Sequence, residues 1–253
     1  MLMCRHIAYL GPEVPLGDLI TTPSHGLYRQ SWQPRHQIHG TVNADGFGIG
    51  WYAPGDPVPA RYRRAGPIWA DTGVLDLCRV VRTTALLAAV RDATFAGADA
   101  EAAAAPFADG PWLFSHNGAV PGWPGSLADL VADLPPHRLL SLQARCDSAF
   151  LWALVHHRLS AGMDPAEALA DTVAAVSAAA PGARLNLLLT DGATIAATTW
   201  GDSLFYLAEP GRSTTVASEP YDASPHWTEV PPYTLLAATP TDVLLTPLKE
   251  PAA

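Results

Sequence analysis

The sequence predicts a layered α+β fold in which sheets are covered by helices. Three observations carry this reading. Strand-like segments occupy both ends of the chain, two amphipathic helical stretches lie between them, and the regular strand–helix alternation of a doubly wound fold is missing. At 253 residues the chain is long enough to bury a sizeable core. No internal repeat and no sharp change of composition divides it. Residues 4–246 therefore read as a single domain, followed by a tail at 247–253.

The opening strands are read at 4–10, 47–53, 86–91 and 112–115, where apolar and β-branched residues cluster. From Asp147 the pattern turns helical, with Phe150, Leu151, Leu154, Val155 and Leu159 on one face. A second helix starts at Asp164-Pro165, with Glu167 as capping-box partner, and Pro181-Gly182 ends it. Strands then resume. RLNLLLT, the turn pair Asp191-Gly192 and ATIAATTW read as a hairpin, and SLFYLA, TTVAS, YTLLAA and DVLLT follow at short spacing.

Composition excludes several functions. Fifteen basic residues against 24 acidic ones give a net charge of −9, which argues against nucleic acid and anionic membrane surfaces as partners. The single lysine, Lys249, sits in the tail, so Schiff-base chemistry and a P-loop lack their lysine. Cys4, Cys78 and Cys146 form no paired framework. No window approaches 18 uninterrupted apolar residues, and the short apolar start is no signal peptide, so the expected location is the cytoplasm.

Gly46-Phe47-Gly48-Ile49-Gly50 lacks the third glycine of a dinucleotide fingerprint, since Trp51 stands there. A glycine-rich strand that approaches other backbone explains it better. His36 and His39 form an HxxH, but no metal-ligand quartet accompanies them, and there is no GxSxG. No cofactor and no metal are expected. Cys4 is the most informative residue. If translation starts at Met3 and that methionine is removed, Cys4 carries a thiol and a free α-amine together, and the amine can take the thiol proton. Cys4 also suits a small apolar position in a first strand.

The segments CRHIAYLG, NADGFGIGWY, VRDATFAG, WLFSHNG, CDSAF and ASEP–YDASPHW occur in register. Together they resemble the class II glutamine amidotransferase family of N-terminal-nucleophile hydrolases, over about residues 4 to 230. Within it, the chain is similar to the stand-alone branch of ergothioneine biosynthesis. The resemblance implies a four-layer αββα sandwich of two antiparallel sheets. It also implies hydrolysis of a γ-glutamyl amide, that of γ-glutamyl-hercynylcysteine sulfoxide, through a glutamyl thioester on Cys4; the alternatives are a glutaminase subunit or a γ-glutamyl hydrolase with another substrate and, behind these, a non-catalytic binding protein of the same fold. The partner is then a small-molecule substrate.

The resemblance assigns site residues one by one. Arg91 matches the arginine that forks onto the substrate α-carboxylate, a geometry that suits a guanidinium; a surface ion pair is the plainer role. Thr94 matches a position near the same pocket, and also suits a strand edge. Asn117 and Gly118 match the oxyanion hole, although Asn-Gly is equally a strong turn pair. Asp147 matches the acid that pairs with the α-ammonium. It would also serve as a helix N-cap, with Ser148 as the alternative cap. His6 shares a strand face with Cys4, as a tuning group or a buried hydrogen-bonded histidine. Asn43 and Asp45 receive no role.

Three features depart from the pattern. Met1-Leu2-Met3 precede Cys4, so the mechanism requires their removal or a later start. Ala103-Ala104-Ala105-Pro106-Phe107 lacks the histidine that many members carry before Pro-Phe. No synthase-like segment follows, so release of glutamate without an obligatory synthase partner is expected.

Overall fold

The computed structural model describes residues 4–40, 42–93 and 100–249. They form two sheets, and every strand pairing in them is antiparallel. The first sheet has seven strands in the spatial order Thr228–Glu229, Phe205–Glu209, Ser213–Ala217, Arg5–Pro15, Arg82–Val90, Phe47–Trp51 and Ala60–Arg64. The second has six: Val243–Pro247, Thr234–Ala238, Ile195–Thr199, Arg184–Thr190, Trp112–Ala119 and Phe107–Asp109.

Alternation along each strand sorts its side chains between two layers. Ala8, Leu10, Ala85, Leu87 and Val216 of the first sheet meet Leu113, Leu188, Ala197 and Leu236 of the second in one buried cluster between the sheets. Their strand neighbours face outward. Ile7, Tyr9, Phe47, Ile49, Leu86 and Ala88 pack beneath Leu19, Ile20, Leu27, Val74 and Cys78 of the short helices Gly17–Ile20, Leu27–Gln30 and Val74–Val80. Phe107, Phe114, Leu185, Leu187 and Leu189 pack beneath the helices Asp147–Ser160 and Pro165–Ala179. The result is the four-layer αββα arrangement. Gly48 and Gly50 leave no room for a side chain: a Cβ on Gly48 would meet the Ala105 carbonyl, and one on Gly50 would sit 2.7 and 2.8 Å from the Leu113 methyls. That close approach is the reason for the glycine-rich strand.

The two long helices start as their sequences direct, with one difference each. Asp164 caps its helix by accepting from Ala166 and Glu167 amides at 2.9 and 3.3 Å; no return bond from the Glu167 side chain forms among the described residues. The N-cap of the other helix is Cys146, so neither Asp147 nor Ser148 is the cap. Asp147 is the first helical residue, and its carboxylate is directed elsewhere. Among the described residues no helix is long and apolar enough to cross a membrane.

Candidate active site

The candidate site lies where the apolar inter-sheet layer ends. Along the first strand, Leu10 and Ala8 face the second sheet, and His6 and then Cys4 continue that face. On the adjacent strand, Leu87, Ala89 and then Arg91 do the same. His6 pairs with Ala89 in the ladder, so Cys4 and Arg91 are the next neighbours beyond it. Opposite, Leu113 gives way to Ser115 and Asn117, and Leu188 gives way to Asn186. One His6–Ser115 hydrogen bond, at 3.2 Å, bridges the sheets and fixes this end.

The Cys4 thiol is acted on by charges from both neighbouring elements. Burial pushes the Cys4 thiol up to about 11; a contact from Sγ to the Asp92 carbonyl at 3.9 Å and the Arg91 charge pull it down, while Asp147 and Asp92 raise it. Arg91 and Asp147 therefore both act on the sulfur. The thiol is protonated near neutrality and needs a base. His6 is a poor one: burial, with Arg5 and His116 nearby, lowers it to about 3, so it stays neutral.

Each flanking residue is held by backbone. Arg91 exchanges main-chain hydrogen bonds with Gly46 and Asp45, and its Nη1 donates to the Asp45 carbonyl at 3.2 Å. The Asp45 carboxylate accepts from the Ala93 amide at 2.8 Å, bracing the segment after Arg91. Asp147 accepts from the Val120 amide at 3.1 Å and the Ser148 amide at 2.8 Å, tying the helix start to the end of the Asn117 strand.

Asn117 is fully buried, and both its amide oxygen and its amide nitrogen lack a partner among the described residues. Leaving such a group unpaired costs about 1–3 kcal/mol, so it is a cost tolerated for some purpose. Gly118 has φ +152°, and a Cβ there would collide with the Arg184 carbonyl. Only glycine allows the strand to turn its backbone here. His116, between Ser115 and Asn117, spans from Ser148 Oγ at 3.0 Å to the Arg184 carbonyl at 2.9 Å and locks this backbone to the helix.

Of the residues singled out in the sequence, Cys4, Arg91, Asn117, Gly118 and Asp147 are thus gathered at one end of the molecule's inner layer, and Thr94 lies outside the described residues. Sequence reasoning missed several supporting groups. Asp45 braces the Arg91 segment. Glu219 is fully buried: burial raises its carboxyl, but the His25 ring, the His36 and Arg35 amides and the Arg5 charge outweigh this and hold it below the usual range. Asp45 and Glu219 stood inside quoted segments, but nothing local marks a carboxylate that will bind distant amides. Among the described residues no cluster of three or more histidine, cysteine or acidic side chains could hold a metal; His36 packs edge-on against Phe205.

Two antiparallel sheets between helices, with a half-buried cysteine just before the central strand and an unpaired buried amide at the same end, are the arrangement of an amidohydrolase with the N-terminal-nucleophile fold. A family model described as "Glutamine amidotransferases class-II" matches residues 21–211, and the chain belongs to that family. It is 40% identical over 246 residues to a protein of Mycobacterium tuberculosis named gamma-glutamyl-hercynylcysteine sulfoxide hydrolase, covering 97% of each chain. A protein of the same name from Mycolicibacterium smegmatis is 39% identical, over 97% of this chain and 100% of that one. A solved protein of Silicibacter pomeroyi described as a "glutamine aminotransferase class-II domain protein" has the same fold, with a TM-score of 0.70 at 24% identity over 98% of this chain and 100% of that one.

Proposed function

We propose that this protein hydrolyses the γ-glutamyl amide of γ-glutamyl-hercynylcysteine sulfoxide, releasing glutamate and hercynylcysteine sulfoxide, and that residues 4–246 form the catalytic domain. The near full-length similarity to two proteins of that name supports the substrate. The observation that carries the chemistry is the position of Cys4, within reach of the Arg91 and Asp147 charges, at the end of the layer that holds the unpaired Asn117 amide.

In this reading the mature chain begins at Cys4, so that its α-amine is free. The amine takes the thiol proton as Sγ attacks the γ-carbonyl carbon. It suits the task, with an ordinary pKa of about 7.7–8.0. The C=O bond opens to an oxyanion that accepts from the Asn117 amide and the Gly118 N–H. The ammonium then returns the proton to the leaving nitrogen as the C–N bond breaks. Water adds to the thioester by the same route and restores the thiol. Arg91 pairs with the α-carboxylate and Asp147 with the α-ammonium of the glutamyl group. Thr94 is proposed to complete this end of the site. The substrate is a small molecule, the site is in the cytoplasm, and the reaction calls on no synthase partner.

The test is to measure kcat/KM for the sulfoxide and for glutamine, alongside the intact mass of the native protein. Loss of Met1–Met3 and a preference for the sulfoxide are expected. A protein that favours glutamine, or one that is active with Cys4 still internal, would sink this reading.

A further inference from the structure

A cavity of about 470 Å³ is lined in part by Arg35, His36, Asp202, Ser203, Glu229 and Tyr233. None of these residues has a role in the chemistry above. Yet the cavity walls hang from residues beside the nucleophile and the oxyanion donor. Asn186, the ladder partner of Asn117, accepts from the Trp200 and Asp202 amides at 2.8 and 3.2 Å. Its own amide donates to the Asp202 and Ser203 carbonyls at 2.9 and 3.2 Å. On the other side, the Glu219 carboxylate fixes the Arg35 and His36 amides at 2.8 and 2.7 Å. Ser218, next to Glu219, exchanges hydrogen bonds with the main chain of His6 at 3.0 Å each way.

The charges in the lining are not all committed. Asp202 is taken by Arg184, which grips both its oxygens at 3.0 and 2.9 Å. The Arg35 guanidinium and the Glu229 carboxylate make no hydrogen bond or ion pair with any described residue. Tyr233 adds an aromatic surface, held edge-on by Trp200 at 4.9 Å. Its φ is +53°, an uncommon backbone state for a bulky residue. Such strain, kept at a cavity wall, is typical of a ligand contact. The cavity therefore offers one free cation, one free anion and an aromatic ring, in a volume within the usual range for a small-molecule site. That set matches a zwitterion whose positive end is bulky and weakly hydrated, because such cations favour aromatic faces.

We propose that this cavity holds the leaving group, an amino-acid betaine, with Glu229 and Tyr233 facing its quaternary ammonium and Arg35 pairing with a carboxylate. The proposal rests on the reading of this protein as a γ-glutamyl-hercynylcysteine sulfoxide hydrolase, whose leaving group carries both a trimethylammonium and carboxylates. It adds that specificity is set by Arg35, Glu229 and Tyr233, apart from the groups that bind the glutamyl end.

Glutamine shares the glutamyl end but has only ammonia to leave, so it does not reach the cavity. The readout is the ratio of kcat/KM for the sulfoxide to kcat/KM for glutamine in the wild type, Glu229→Gln, Arg35→Ala and Tyr233→Ala. The ratio is expected to fall about tenfold in each variant, mainly through KM for the sulfoxide. A ratio that stays within twofold, or equal losses on both substrates, overturns the proposal. A wild type that does not hydrolyse the sulfoxide overturns the functional reading instead. The cavity is then decided by titrating hercynine, the histidine betaine, against tryptophan fluorescence, with histidine as control. Saturable binding of hercynine that weakens about tenfold in Glu229→Gln supports the betaine site. No binding of hercynine by the wild type refutes it.

Discussion

The space between the two sheets has two ends built from the same strands, and they obey opposite rules. At one end Leu10, Leu87, Leu113 and Leu188 interlock with no polar atom to satisfy. Two to six residues further along each strand, on the same face, stand His6 and Cys4, Arg91, Ser115 and Asn117, and Asn186. Alternation alone would carry the apolar layer to the edge. The sequence instead switches chemistry on all four strands at one level. The apolar end supplies the free energy of folding, and the polar end spends part of it on buried groups that water would serve better. The lesson is that rigidity at the site is borrowed: His6, Arg91, Ser115 and Asn186 are each one strand step from a packed leucine or alanine, and Cys4 and Asn117 stand one step beyond.

The sharpest way to break this contrast is Asn117→Ala. If the polar end is kept for chemistry, losing the amide costs about 10²–10³ in kcat, as for a single oxyanion donor. The melting temperature should move by only a few degrees, because the amide bonds to no described residue. Steady-state kinetics with a thermal melt on the same sample reads both. A variant that melts early yet keeps its kcat would assign Asn117 to the fold instead.

The converse substitution is Leu113→Ala, four residues back on the same strand. It removes a fully buried side chain from the centre of the inter-sheet cluster, and such truncations cost about 2–5 kcal/mol of stability. Denaturant unfolding should show that loss, while kcat measured well below the new melting point changes little. A large loss of kcat at full foldedness would mean that the two ends are coupled, and the contrast drawn above would fail.

How much of this was legible in the sequence follows from the same contrast. Central strands and both long helices carry continuous or periodic apolar patterns, and their positions were readable. The strands Ala60–Arg64, Phe107–Asp109 and Thr228–Glu229 were not, and all three are edge strands. An edge strand has one unpaired side and little to bury, so the charged run ARYRR leaves no strand signature. The outer layer over the first sheet escaped for a different reason: helices of four to seven residues are too short to show a period. The candidate site residues Cys4, Arg91, Asn117, Gly118 and Asp147 were singled out through resemblance, not spacing, since they come from separate strands and a helix. Asp45, Asn186 and Glu219 act only through folding partners more than ten residues distant, which no local pattern encodes.

The smallest effect expected is a pH dependence that only the polar end can have. Burial and the neighbouring Asp45 carboxylate raise Asp92 from an ordinary value of 3.8 to about 6, despite the Arg91 charge. The sign follows from proton binding. Between about pH 4 and 6 the folded protein holds a proton on Asp92 that the unfolded chain has released, so stability falls as pH rises through this window. The loss is complete by about pH 7, where the folded state carries two close carboxylates. Asp92→Asn keeps the shape and a donor toward Asp45 but cannot ionise. Its melting temperature should match the wild type near pH 4 and exceed it increasingly up to pH 7, by a degree or two on the scale of about 2–4 °C per kcal/mol for a chain of this size. An advantage that grows toward acid, or one that is flat with pH, would mean that Asp92 is ionised and stabilised in the fold, and that the polar end is better solvated than its geometry implies.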